Sequence, residues 1–461
     1  MEREAQQATR VLPIVGLDVG AIGCISLVSF GRADGILINI RTNFKPSNKE
    51  CTSVARLRFF NSPHRQYLLA PRGYFKVRSQ RLTATSFLNN KKRINMQTNR
   101  VKRIHDFDQS IWLDFIDRKI MNTGELEQLI NDDGVRGITS NPAIFEKAIS
   151  SSSDYDEDIK TLSKEKQNNE DLFYALAIKD IQRAADMLLP VYNEEVQGAD
   201  GYVSLEVSPL LAKDTEGTVK QAGELWKLVN RKNVMIKIPG TAEGLPAIRT
   251  CISEGININV TLLFGLQRYE EVTEAYISGL EERVARNETI EQIASVASFF
   301  LSRIDVMIDP MVQEKGLPQL KGEIAIASAK KAYEIYKRVF GSERFKKLEE
   351  KGAKPQRLLW ASTGSKDPAF SDVKYVEALI GPKTVNTIPI ETLEAFRDHG
   401  EAADVLESEL DKATNVLNEL KNAGINLDEI TQKLEDEGIE KFNKPYHKLM
   451  DAIETQRKQL S

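Results

Sequence analysis

From residue 110 onward the chain repeats one pattern eight times: a short apolar, β-prone run, then a stretch whose apolar residues recur at three- and four-residue spacing. The runs are SIWLDFI (110–116), GVRGITSN (134–141), GYVSLEVSP (201–209), NVMIKIPG (233–240), ININVTLLF (256–264), SVASFFLSRI (295–304), RLLWASTG (357–364) and KTVNTIPI (383–390). Near-continuous apolar runs suit strands covered on both faces. The intervening spacing gives one buried helix face per stretch. Strands that alternate with helices imply right-handed crossovers and a parallel sheet. Eight such units over about 280 residues match a closed (β/α)8 barrel. The competing open, doubly wound sheet usually carries a glycine-rich turn such as GxGxxG, and none follows these runs.

Two stretches exceed a minimal barrel. Residues 310–356 contain LKGEIAIASAKKAYEIYKRVF, a helical insertion between the sixth and seventh strands. Residues 399–461 form further helices rich in Leu, Glu and Lys, including DVLESELDKATNVLNELKNAG. Their expected role is to cover the barrel and shield one mouth, with a subunit contact as the alternative. No heptad is sustained long enough for a coiled coil.

Charge divides the chain. Residues 1–95 carry 16 Lys and Arg against 5 Asp and Glu, a net +11; the other 366 residues carry 47 against 62, a net −15. The expected domains are therefore a basic, disordered extension over 1–95 and a barrel over 96–461. The extension reads as sequence translated ahead of a start at Met96, or as an acidic-poor transit peptide. An arm for nucleic acid would need regular basic and aromatic interleaving, which this segment lacks. The longest apolar stretch, VLPIVGLDVGAIGCISLVSFG (11–31), is broken by Asp18, and no uninterrupted apolar run of about 18 residues occurs, so no membrane span is expected. Cys24, Cys51 and Cys251 lie far apart, with no CxxC pair, which supports neither a disulfide framework nor a zinc site. A cytoplasmic location follows, or a plastid if 1–95 is a transit peptide.

Polar residues interrupt the apolar runs near their ends: Asp114 in the first, Thr139 and Asn141 in the second, Glu206 in the third, Lys237 in the fourth. Asn259 and Thr261 follow in the fifth, Ser298 and Arg303 in or after the sixth, and Ser362 and Lys366 at the seventh. Barrel enzymes assemble their chemistry at the C-terminal face from several strands. A wet ring of polar core residues is the plainer alternative. The four histidines (64, 105, 399, 447) lie outside the runs, against a Ser/His/Asp hydrolase. No His and carboxylate cluster has metal-ligand spacing. What remains is a lysine with two carboxylates and neutral hydrogen-bonding groups. A lysine in an apolar run is either paired, or snorkels, or is kept as a free amine for attack on a carbonyl. The last option suits imine chemistry, in which a protonated imine is the electron sink and the carboxylates move protons. Arg303 and Lys366 would suit a phosphate group on the substrate, although Arg303 could equally form a rim salt bridge.

GVRGITSNPAIFEKAI (134–149) resembles the first signature of the transaldolases, and VMIKIPGTAEGLPAI (234–248) the second, which carries an imine-forming lysine. NINVTLLF, SFFLSRID and LLWASTGSKDP are similar to the family as well, in family order, so the resemblance spans 104–461. It implies a (β/α)8 barrel that uses no cofactor and no metal, in the longer bacterial and plant-type branch. It further implies transfer of a dihydroxyacetone unit from sedoheptulose 7-phosphate to glyceraldehyde 3-phosphate in the pentose phosphate pathway. By resemblance, Lys237 forms the imine, Asp114 is the acid/base of carbon–carbon cleavage, and Glu206 with Thr261 handles the catalytic water. Asn141 and Asn259 hold the dihydroxyacetone hydroxyls, with Thr139 and Ser298 beside them, and Arg303 takes the phosphate. Smaller family members place an arginine after the seventh-strand serine, where this chain has Ser362, Gly364 and Lys366. The implied partners are phosphorylated sugars, with neither nucleic acid nor membrane, and a monomer or homodimer. A sugar-phosphate aldolase with the same imine is the alternative, and a catalytically inactive binding barrel is the remote one.

Overall fold

Eight strands close into a barrel: β1 Gln109–Leu113, β2 Gly137–Ile138, β3 Tyr202–Glu206, β4 Val234–Pro239, β5 Ile258–Leu263, β6 Ser295–Phe300, β7 Arg357–Ala361 and β8 Thr384–Ile388. They neighbour one another in chain order, and β8 returns to pair with β1. Every pairing is parallel. The expected (β/α)8 barrel is therefore observed, in a computed structural model that describes residues 99–460 except 166–167 and 196–197. It also describes the backbone of four strands nearer the N-terminus. Those strands, Gly16–Leu17, Ile25–Arg32, Gly35–Phe44 and Cys51–Leu57, form an antiparallel sheet in chain order, a unit separate from the barrel. The sequence reading assigned no strands there. The rest of 1–98, and with it most of the expectation for the basic extension, lies outside the described residues.

The strands are shorter than the apolar runs, and β1, β2 and β7 stop just before the polar residues Asp114, Thr139 and Ser362. Only Gly137 and Ile138 of GVRGITSN are strand. A side chain at Gly137 would overlap the Trp112 ring, its Cβ falling 2.4 Å from that indole, so glycine lets β2 lie against β1. The N-terminal end of the barrel is closed by a buried polar plug. Trp112 Nε1 donates to Asp200 at 2.7 Å, and Arg357 donates to Asp200 at 3.0 Å and to Ser110 at 2.9 Å. Each charge in this plug is paired, as burial demands.

The expected insertion after the sixth strand is present as the helices Ile324–Phe340 and Glu343–Glu349. At the C-terminus, Leu410–Asn422 packs on the first of these. The final helix, Leu427–Leu460, packs on helices Pro142–Ser150 and Asn169–Pro190 and reaches β5 at the C-terminal end of the barrel. Among the described residues, no helix is long and apolar enough to cross a membrane.

Candidate active site

At that C-terminal end lies a cavity of about 230 Å³ lined by residues from β1, β2, β4, β5, β6, β7 and β8 or the turns after them, and from the final helix. Strand register sets its floor. Glu206 pairs with Lys237 across β3 and β4, and Lys237 with Asn259 across β4 and β5, so three polar residues stand side by side. Lys237 is 5% exposed. Its ammonium donates to the Ser140 carbonyl at 2.8 Å and lies 3.4 Å from Glu206 Oε2, so it is both paired and cavity-lining.

Glu206 is reached through Lys237. It does not line the open cavity, and its carboxylate is buried beside the amine. Burial raises its pKa to about 7, with Lys237 opposing and Asp114 adding to the rise. Asp114 follows β1 and does line the cavity. It accepts from the Thr139 hydroxyl at 2.7 Å, and Thr139 in turn lies 2.7 Å from the Thr387 hydroxyl. Burial pushes the Asp114 carboxyl up, while Lys237, the Thr139 hydrogen bond, Lys366 and Arg303 pull it down.

The neutral groups divide into two sets. Thr139, Asn141, Thr261, Ser298 and Ser362 line the cavity. Asn259 does not; its amide is fully buried, donating to Ser204 at 3.0 Å and accepting from Ser298 at 2.7 Å. Asn141 has two tasks, since its Oδ1 caps helix Pro142–Ser150 by accepting from the Ala143 and Ile144 amides. Only its amide nitrogen is left for a ligand. Thr261 Oγ1 is buried with no hydrogen-bond partner, the condition expected of a group that waits for a water or substrate oxygen.

Backbone distortion places Thr261. Between β5 and β6 the register slips by one residue, and Leu262 has φ of 53°. A bulky residue in the left-handed region costs of order 1–3 kcal/mol, and such strain gathers at functional sites. Here the bulge turns Thr261 into the mouth. Ser362, after β7, is also left-handed at φ 56°, and its hydroxyl lies 2.9 Å from that of Ser302.

Cations line the cavity as well. Arg303 forms no ion pair among the described residues, and its Nη1 is buried without a hydrogen-bond partner. Its guanidinium sits 5.5 Å from the Phe300 ring and 5.9 Å from the Phe442 ring. The rim salt bridge that the sequence left open is thus not formed. Lys366 is exposed and lines the cavity, in the loop after β7. Sequence reasoning missed Thr387, Phe300, Lys441, Phe442 and Pro445, all of them lining. Thr387 was legible as a polar residue near a strand end; the last three sit in a helix whose placement only folding decides. None of the described histidines lines the cavity. Among the described residues no group of three or more His, Cys, Asp or Glu could hold a metal ion.

Fold and site together define a barrel enzyme in which one buried lysine, paired with Glu206, shares a cavity with Asp114 and several cations. Comparison with known proteins narrows that class. The chain belongs to the transaldolase/fructose-6-phosphate aldolase family, whose model matches residues 111–453. It is 48% identical over 379 residues to the transaldolase of Trichodesmium erythraeum, covering 79% of this chain and 100% of that protein. Similar relatives are the transaldolase of Saccharopolyspora erythraea, at 46% identity (78% of this chain, 99% of the relative), and transaldolase 2 of Nostoc punctiforme, at 45% (79% and 100%).

Proposed function

We propose that this enzyme moves a dihydroxyacetone unit from sedoheptulose 7-phosphate to glyceraldehyde 3-phosphate, giving erythrose 4-phosphate and fructose 6-phosphate. The carrying observation is the placement of Lys237 Nζ, on the cavity floor and 3.4 Å from a carboxylate whose pKa is about 7. A carboxylate of that acidity can take the ammonium proton and return it near neutral pH, as carbinolamine formation and dehydration require. Lys237 attacks the ketone carbon of the donor; loss of water leaves a protonated imine that holds charge when the C3–C4 bond breaks. Asp114 takes the C4 hydroxyl proton, with Thr139 holding its orientation. Glu206 and Thr261 manage the water on either side of the imine. Asn141 and Ser298 face the donor's hydroxyls, and Asn259 supports Ser298 from behind. Arg303, with Lys366 and Ser362, receives the phosphate dianion.

Borohydride reduction in the presence of fructose 6-phosphate tests the reading. The adduct should map to Lys237, and Lys237→Ala should form none and lose turnover. Labelling elsewhere would overturn the assignment. The aldolase alternative is separated by product analysis: fructose 6-phosphate without an acceptor should release little free dihydroxyacetone, whereas an aldolase would release it continuously. For a barrel with this site complete, a cytoplasmic enzyme acting as a monomer or homodimer is the corresponding assembly.

A further inference from the structure

Besides Lys237, three cations line the cavity, and only two of them belong to the barrel. Arg303 and Lys366 follow β6 and β7, whereas Lys441 comes from the final helix, Leu427–Leu460. We propose that Lys441 is a ligand of the substrate phosphate, so that the final helix is part of the binding site and not only its cover. This rests on the phosphorylated-sugar reading above.

The helix is held firmly enough to deliver a ligand. The Phe442 ring is buried beside Arg303, and Tyr446, also buried, donates its hydroxyl to Glu170 at 2.7 Å. Further along, Gln456 donates to the Ile149 carbonyl at 2.9 Å. With one face of the helix anchored, Lys441 stands where its exposed face meets the cavity. Among the described residues its ammonium is paired only with Glu437, one turn earlier at 2.9 Å. An exposed pair of this kind contributes little, so the ammonium can exchange Glu437 for a stronger acceptor. A lysine's flexible stem permits that swing.

Arg303 alone leaves the anion under-served. Phe300 and Phe442 both lie against the Arg303 guanidinium, and its buried Nη1 has no partner. A phosphate dianion carries three acceptor oxygens and about two charges at neutral pH, more than one constrained guanidinium can satisfy. Lys366 from the barrel and Lys441 from the final helix, which line the same cavity, supply the remaining donors.

The test is calorimetric titration of the full chain with inorganic phosphate, together with kinetics. Lys441→Gln should weaken phosphate binding about tenfold, the loss expected for one charge-assisted contact. Lys441→Arg should restore most of it, and Glu437→Gln, which releases the lysine, should tighten it. In kinetics, the ratio of kcat/KM for fructose 6-phosphate over that for unphosphorylated fructose should fall about tenfold in Lys441→Gln, with kcat little changed. The proposal is overturned if Lys441→Gln binds phosphate as the unchanged protein does, if neither protein binds it, or if both donors suffer equally. Failure of the underlying reading is recognised separately, because it would appear as an absent borohydride adduct in the unchanged protein. The phosphate titration would still decide the role of Lys441.

Discussion

Two carboxylates serve one amine, and their surroundings divide the work. Glu206 is buried against Lys237 with a pKa of about 7; Asp114 faces the cavity and is steadied by Thr139 and by three cations. Imine formation needs the amine and a nearby base, whereas cleavage needs a second base that the spent amine cannot supply. Asp114→Ala should therefore lose turnover by roughly 10²–10⁴-fold while the covalent adduct still forms and accumulates. Rapid quench with borohydride would display the trapped six- or seven-carbon adduct; a variant with no adduct would assign Asp114 an earlier step. For Glu206 the sign follows from its raised pKa. Below about 7 the carboxyl is protonated and cannot take the Lys237 proton; above it the carboxylate form fills in. The single-turnover rate of adduct formation should rise with pH through that value, and Glu206→Gln should be slow and lack that limb.

At the scale of elements, one contact sets the height of the lid over the mouth. Gly438 of the final helix lies directly over the strained end of β5, and a Cβ there would fall 3.0 Å from Leu262 Cδ2 and 3.6 Å from Phe264. Glycine costs a helix interior up to about 1 kcal/mol relative to alanine, and here it permits the close approach that brings Lys441, Phe442 and Pro445 to the cavity. Gly438→Ala should be nearly neutral in chemical denaturation, because the gain in helix propensity offsets a tight contact with the end of a flexible side chain. Gly438→Leu should overpack the contact, cost about 1–3 kcal/mol, and raise KM for phosphorylated substrates as the helix is pushed from the rim.

At the scale of the whole molecule, the barrel is a unit on its own. Contacts divide the chain between Phe87 and Leu88, and the family model begins at residue 111. Several relatives are matched over their whole lengths by less than four fifths of this chain. A chain beginning at Met96 should accordingly keep full activity and an unchanged thermal midpoint. One beginning after Ile104 should not. Val101 and Ile104 are fully buried, and Arg100 donates to the Gly400 carbonyl at 2.9 Å. Thermal unfolding of the two shortened chains gives the comparison, and a destabilised Met96 chain would mean that residues 1–95 support the barrel.

The sequence by itself determined the number and order of the barrel strands, though not the four strands nearer the N-terminus, because burial on both faces leaves an apolar run that is visible without a partner. It also marked the residues that break those runs, and so disclosed Lys237, Asp114, Glu206, Thr261 and Arg303. The family resemblance added candidate roles that no spacing could supply. Only the tertiary structure decided which of those residues face open space. Register and the β5 bulge separate Thr261, in the cavity, from Asn259, buried beside it, although both are polar residues of one strand. Folding alone also decided what closes the mouth. Lys441 and Phe442 read as ordinary residues of an amphipathic helix, and about 140 residues separate them in sequence from Phe300 and Arg303, which they meet at the cavity. A helix's pattern states which face it buries but not what it is buried against, since hydrophobic burial has no direction of its own.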